Sequence, residues 1–317
     1  MNGPGAARLR LPQLPLNAIA LAAIALVAVF AWAQPAFLTP ANLVGIVRQV
    51  VIIGIMAAAM TFVVMTGGVD LSIGPVLALS GLVCVLALNA GLPLPVALAA
   101  ALAASALVGL ANGALVAYAG LQPIIVTLAM LGIVRGSALL LGGPDLHTVR
   151  NQPAFSFIGT GALLGLPFSV WLFACVAAVL VFVQRRTPLG LRIAAIGDNE
   201  TAAFLSGHDT RKTKLALYVL SSLCAAIAGV VLASQVHTGS ATYGEFGIEL
   251  DVIAAVALGG TRLTGGTGSV ARTLAGVMFL GVLNNGMNIL NVPIDIQLIA
   301  KGLLIAAALG WRAPARP

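Results

Sequence analysis

Apolar runs close to the ~20 residues that a helix needs to cross a hydrocarbon layer recur from one end of this chain to the other. The sequence places ten of them, at 16–33, 43–65, 73–90, 93–117, 123–142, 166–183, 214–235, 249–263, 269–290 and 294–311. The eighth is short and ends in glycine. No stretch is left over for a large soluble domain, so all 317 residues read as one transmembrane unit with a short tail, 1–15, ahead of the first span. Only 8% of residues are charged, where soluble domains carry about 25%. The fold class expected is an all-α, multi-pass membrane protein.

The basic residues orient it. Alternating the spans from a cytoplasmic N-terminus puts Arg8, Arg10, Arg185, Arg186, Arg192, Arg211, Lys212, Lys214, Arg262, Arg272, Arg312 and Arg316 on the cytoplasmic side. Arg48 and Arg150 lie on or near the opposite face, and Arg135 and Lys301 fall within spans. This asymmetry follows the positive-inside rule and predicts both termini in the cytoplasm. The net charge of +7 then reports topology and gives no reason to expect a nucleic-acid partner. The first span imitates a secretory signal, with Ala31-Trp32-Ala33 as a cleavage-like site, but its apolar part is long for one and it is read as retained. Cys84, Cys175 and Cys224 fall inside spans, where cysteine behaves as a small apolar residue. No disulfide framework or metal spacing emerges.

Residues 66–81, TGGVDLSIGPVLALSG, interrupt the oil. Lipid offers no hydrogen-bond partners, so such a break must face protein or a water-filled cavity. Gly67 and Gly68 end one helix, Asp70 or Ser72 can cap the next, and Pro75 is tolerated in its first turn. Asp70 is read either as a cap alone or as part of a gate toward the cytoplasmic side. The stretch aligns without gaps to 247–260, GIELDVIAAVALGG, with Gly68, Leu71, Ala78, Leu79 and Gly81 identical to Gly247, Leu250, Ala257, Leu258 and Gly260, and Asp70 opposite Glu249. At nearly the same offset GLANG (109–113) recurs as GVLNNG (281–286), which makes Asn112 equivalent to Asn284 or Asn285. With the predicted topology the two halves, spans two to five and seven to ten, are inverted repeats, and paired interruptions of this kind point to a transport pathway. The asparagines serve equally well as helix-to-helix hydrogen bonds.

Between the sixth and seventh spans runs the basic loop 185–214. A short amphipathic helix is expected in it, capped by Asp198 or Asn199, with Glu200 in its first turn and Gly207 at its end. Such a helix suits a groove in a cytoplasmic partner, or else a lipid surface. There is no G-x-x-x-x-G-K-[ST] phosphate loop. The glycine-rich GGTRLTGGTGS (259–269) reads as a tight turn, and His147, His208 and His237 are far apart on predicted loops.

Three segments together, TGGVDLSIGPVLALSG, GDNETAAFLSG (197–207) and ELDVIAAVALGGTRLTGGTGSV (249–270) leading into GVLNNGMNIL (281–290), resemble the permease subunits of bacterial ABC importers for ribose and related monosaccharides. The resemblance covers nearly the whole chain and implies an inner-membrane permease, not an enzyme. Its implied partners are a second permease chain, identical or related, a cytoplasmic ATPase that holds ATP and magnesium, and a periplasmic sugar-binding protein. It also implies that Asn199, Glu200, Ala202, Ala203 and Gly207 form the coupling element of a loop spanning 185–213, and that the permease itself carries no cofactor. Pro75, Arg262 and Arg272 depart from the family pattern.

Pathway or gate positions expected from the breaks and the repeat are Gly67, Gly68, Asp70, Ser72, Asn112, Thr127, Glu249, Asp251, Asn284 and Asn285. Sugars are neutral and rich in hydroxyls, so a few polar groups relieve the cost of stripping their hydrogen bonds. An ion-coupled secondary transporter with Asp70 or Glu249 as its titrating group, and a membrane scaffold or receptor that transports nothing, are the rival readings.

Overall fold

The computed structural model describes residues 16–244 and 247–310. Among the described residues the chain forms thirteen α-helices joined by short turns. They are α1 (Leu16–Ala33), α2 (Pro40–Met65), α3 (Ile73–Asn89), α4 (Leu94–Ala117), α5 (Pro123–Gly142), α6 (Pro153–Thr160), α7 (Phe168–Arg186), α8 (Pro188–Asp198), α9 (Glu200–Leu205), α10 (Thr210–Val236), α11 (Ile248–Leu258), α12 (Val270–Ile289) and α13 (Ile294–Gly310). Five of them, α2, α4, α5, α7 and α10, are long and apolar enough to cross a membrane.

Proline marks several of the starts. Pro40, Pro123, Pro153 and Pro188 each occupy the first turn of a helix, where a missing amide proton costs nothing. The α10 helix instead begins at Asp209, whose carboxylate accepts from the amide of Lys212 at 2.9 Å. That amide, followed by the Lys212 ammonium, holds the Asp209 carboxyl below its usual range.

Two expectations from the sequence are corrected. The apolar run at 249–263 is helical only as the eleven residues of α11. At ~1.5 Å per residue this is about 16 Å, roughly half the hydrocarbon thickness. Gly259 and Gly260 stop it, and the chain returns through a tight turn in which Arg262 N–H donates to the Thr267 carbonyl and Gly265 N–H to that of Arg262. The loop 185–214 holds two helices, α8 and α9, in place of one. Predicted loop 143–165 also contains α6, and two two-stranded pairs flank it: β1 (His147–Thr148) with β4 (Thr238–Gly239), and β2 (Ala162–Leu163) with β3 (Leu166–Pro167).

The core is built around α2, buried along nearly all of its length from Val50 to Met65. It packs against α10, α11 and α12, and α10 packs in turn against α3 and α4. The helix neighbours fall into two matching sets. Just as α3 contacts α4, α5 and α10, α11 contacts α12, α13 and α2; α4 lies on α10 as α12 lies on α2. Directions match as well. Asn42 and Thr61 at the two ends of α2 bond Asn285 and Thr273 of α12, so these helices are antiparallel, and Gly109 and Gly113 of α4 meet Val219 and Leu215 of α10 in the same antiparallel sense.

Close approach depends on small residues where no lipid-excluded hydrophobic drive exists. At the α3–α10 contact a Cβ added at Gly81 stands 2.9 Å from the Gly229 carbonyl, and one at Gly229 runs into the Leu77 carbonyl. Only glycine fits either side. Outward-facing Leu140, Trp32 and Leu21 present the opposite surface, large and apolar, as a bilayer requires. Cys84 and Cys224 are buried and Cys175 is exposed, all three unpaired.

Candidate functional site

The break between α2 and α3 is a buried polar knot. Asp70 is fully buried, with Oδ1 accepting from the Ser72 hydroxyl at 2.6 Å and the Ser72 amide at 3.1 Å. Its Oδ2 accepts from the Ser221 hydroxyl of α10 at 2.9 Å. Asn112 Nδ2 of α4 donates to Ser72 Oγ at 2.8 Å, and Thr127 Oγ1 of α5 donates to the carbonyls of Val69 and Pro123. Three helices, α4, α5 and α10, are thus tied to one seven-residue break. Ser72 is the N-cap of α3 by position, but its hydroxyl donates to Asp70 and accepts no capping amide. The carboxylate in front of the helix does that work for the Ser72 amide.

Among the described residues three polar atoms around this knot have no hydrogen-bond partner: Tyr218 Oη, Ser222 Oγ and Asn112 Oδ1. A Cβ on Gly68 would stand 2.7 Å from Tyr218 Oη, so glycine there lets the backbone pass the phenol. A cleft of about 200 Å3 adjoins it, lined by Gly67, Gly68, Val116, Glu200, Lys214 and Tyr218. Gly67 and Gly68 line this cleft, whereas Asp70, Ser72 and Asn112 are not among its lining residues.

The same end of the molecule gathers the turn and the loop. Gly266 N–H donates to the Met65 carbonyl at 2.9 Å, and a Cβ at Gly197 of α8 would collide with that carbonyl. Gln184, near the end of α7, donates to the Gly268 carbonyl and accepts from the amide of Val270. In α9 the Asn199 side chain caps the Ala202 amide at 2.9 Å, and Gly207 adopts φ +85° to end the turn. Glu200 pairs with Lys214 of α10 at 2.5 Å. Ala203 is buried against the body, Ala202 is exposed, and Phe204 and Leu205 are 62% and 79% exposed. An apolar tip held on a fixed base is therefore offered to whatever lies beyond.

At the second break, Gly247 takes φ +79° and opens α11 with Glu249 and Asp251 in its first turn. Among the described residues Glu249 Oε2 has no hydrogen-bond partner, and it rests where a Cβ on Gly74 would be, so the first turns of α3 and α11 touch. Asp251 Oδ2 accepts from Lys301 Nζ of α13 at 2.9 Å and from Asn284 Nδ2 of α12 at 3.3 Å. In the gapless alignment Asp251 stands opposite Ser72, and each accepts an amide from the matching asparagine, Asn284 or Asn112. Of the two asparagines, Asn284 is the one whose hydrogen bond resembles that of Asn112. Asn285 instead forms a reciprocal amide pair with Asn42, at 2.9 and 2.8 Å, and joins α12 to the start of α2.

The expected positions therefore form two groups, one holding Asp70, Ser72, Asn112 and Thr127, the other Glu249, Asp251 and Asn284. Ser221, Tyr218, Lys214 and Lys301 complete these groups and were not among the expected positions. Lys301 carried a signal all the same, because a lysine within a span needs a carboxylate partner; Ser221 and Tyr218 carried none. Among the described residues no group of histidine, cysteine and carboxylate side chains could hold a metal ion.

Residues 42–309 match the family described as branched-chain amino acid transport system / permease component. The ribose import permease protein RbsC of Bacillus subtilis is 40% identical over 277 residues, which is 87% of this chain and 86% of that protein. RbsC of Escherichia coli K12 is 39% identical, covering 87% of both chains, and the L-arabinose ABC transporter permease protein AraH of Azospirillum brasilense is 36% identical over 87% of this chain and 81% of its own. No solved structure matches.

Proposed function

The chain belongs to the permease-component family of transport systems, and on that premise we propose that it forms the membrane passage of an ATP-driven importer for a monosaccharide or a similar small polar solute. It is a transport subunit and not an enzyme. The observation that carries this reading is the extent of the family match, which runs from 42 to 309 and so includes both broken helices and the α8–α9 loop. Relatives named for ribose and L-arabinose supply the solute class.

The partners follow from the same reading. A cytoplasmic ATPase chain binds ATP and magnesium and seats α9 through Phe204 and Leu205; a periplasmic binding protein delivers the sugar; a second permease chain, identical or related, completes the passage. The protein resides in the inner membrane with both termini in the cytoplasm. Supporting that orientation, Arg185 and Arg186 end α7 and Arg211 and Lys214 begin α10, on either side of the α8–α9 loop, and Arg262 lies in the turn whose Gly266 amide bonds the Met65 carbonyl at the end of α2.

Spans two to five and seven to ten act as inverted halves, ten spans in all, with α11 as a half-span. The matched helix neighbours and the two asparagine bonds support this. The pathway runs between the two breaks, with Gly67 and Gly68 on the cytoplasmic cleft and Asp70, Ser72, Asn112 and Thr127 as the latch that holds that end shut. The Glu200–Lys214 pair lines the cleft beside Gly68 and Tyr218, so a pull on α9 reaches the latch through a single layer of side chains.

Uptake of labelled ribose and L-arabinose in cells expressing this chain with its ATPase and binding protein tests the reading. Accumulation of either sugar that needs all three proteins and ATP is expected. Accumulation by the purified chain alone in liposomes, driven by a proton gradient, would establish the ion-coupled alternative instead.

A further inference from the structure

A second cavity, of about 260 Å3, opens between α2, α10, α11 and α13. Its walls are Gln49, Leu232, Ile248 and Ile294, and its polar floor is the Asp251–Lys301 pair. Side-chain exposures of 10% and 14% make this a desolvated pair. Lys301 is the eighth of seventeen residues in α13, near the middle of that helix.

Removing two such charges from water is costly, and their attraction repays this only where the remaining hydrogen-bonding capacity is used. Here much of it is unspent. Asp251 Oδ2 takes both recorded bonds and leaves Oδ1 without one among the described residues. The Lys301 ammonium has three donors, and one recorded bond. The Gln49 amide, on the opposite wall, has no recorded bond among the described residues. Replacing such a pair with apolar residues of similar volume is often neutral or stabilising, so packing alone gives little reason to keep it at this depth.

We propose that the Asp251–Lys301 floor, with Gln49 facing it, is the intramembrane contact site for the sugar, a place where its hydroxyl groups donate to Asp251 Oδ1 and accept from Lys301 Nζ while its C–H face lies on Ile248 and Leu232. This rests on the transport reading above and names the residues of this chain that meet the solute. The chemistry selects a neutral polyol. The two charges balance, so neither an anion nor a cation gains from the site, whereas a hydroxyl group uses a donor and an acceptor side by side. A cavity of about 260 Å3 suits one sugar ring and no chain of them. A few exchangeable hydrogen bonds also suit passage, which requires release as much as binding.

The test uses the complete transporter in proteoliposomes, loaded with labelled ribose or L-arabinose. The double substitution Asp251→Leu with Lys301→Met removes both charges together and leaves no widowed ion. The expected result is normal assembly with the ATPase, a melting temperature lowered only slightly by the Asn284 amide that loses its acceptor, and at least a tenfold loss of maximal uptake. A double variant that transports at the wild-type rate would reduce the pair to packing and overturn the proposal. Should that variant fail to assemble, Gln49→Leu decides: maximal uptake falls several-fold at an unchanged half-saturating concentration, which the binding protein sets, and an unaltered rate overturns the proposal. Wild-type transporter that accumulates neither sugar would defeat the transport reading itself, and this inference with it; active wild type with unaffected variants defeats this inference alone.

Discussion

Asp70 accepts three hydrogen bonds in a place from which water is excluded. Asp70→Ala therefore leaves the Ser72 amide, the Ser72 hydroxyl and the Ser221 hydroxyl without an acceptor, each at about 1–3 kcal/mol. Asp70→Asn keeps one acceptor oxygen. Thermal melting of the purified chain in detergent is expected to fall steeply for the alanine variant and by less for the asparagine variant. Sugar uptake is lost in Asp70→Ala even where the chain inserts, and intact uptake would remove the knot from the mechanism and favour a scaffold that transports nothing. The carboxylate was legible in the sequence as the odd residue in the break. Its partner Ser221 was not, because 151 positions separate them and serines in apolar helices are too common for any one to stand out.

At the scale of elements, α3 and α10 touch through Gly81 and Gly229, and overpacking a contact of this kind costs about 1–3 kcal/mol. Gly229→Val, which drives a branched side chain into the Leu77 carbonyl, is expected to lower the melting temperature and the yield of inserted protein. Gly132→Ala serves as the control, since nothing lies within 4 Å of a Cβ there and its backbone is not in the left-handed region. The α9 helix makes the opposite kind of prediction. Glu200→Arg sets two cations face to face in place of the pair with Lys214, and Gly207→Trp forces a bulky residue into the left-handed turn at φ +85°. Both variants are expected to insert normally while ATP hydrolysis no longer drives uptake, as simultaneous assays of phosphate release and sugar accumulation would show. Wild-type coupling in both would take the loop out of the mechanism. The cap at Asn199 and the stop at Gly207 were legible because capping is local chemistry. The preceding helix α8 was missed, being anchored by the contact of Gly197 with α2 and the 265–266 turn, which lies far away in sequence.

For the whole molecule, the orientation in the bilayer makes the most direct test. Leu205 and Leu164 are 79% and 85% exposed and lie in the loops that the positive-inside rule assigns to opposite faces. In a chain whose three cysteines have been replaced, a cysteine at 205 is expected to react with a membrane-impermeant maleimide only from the cytoplasmic side, and one at 164 only from the periplasmic side. Labelling of both from one face would refute the inverted arrangement. The sequence by itself determined where most of the long helices lie and where the break at 66–72 falls, though not the short helices α6 and α8 or the early end of α11. Without water the backbone has only its own groups to bond, so a run of oil becomes a helix, and Gly-Gly, proline and the 259–269 turn end it, whatever the rest of the chain does. Tertiary structure decided which face of each helix looks inward and which polar groups meet. In a soluble helix an apolar stripe reveals its inner face, but here lipid and core are equally apolar and the stripe disappears. Pairings such as Asp70 with Ser221, Asn42 with Asn285 and Asp251 with Lys301 are set by how the oily rods stack, a property that no single rod contains.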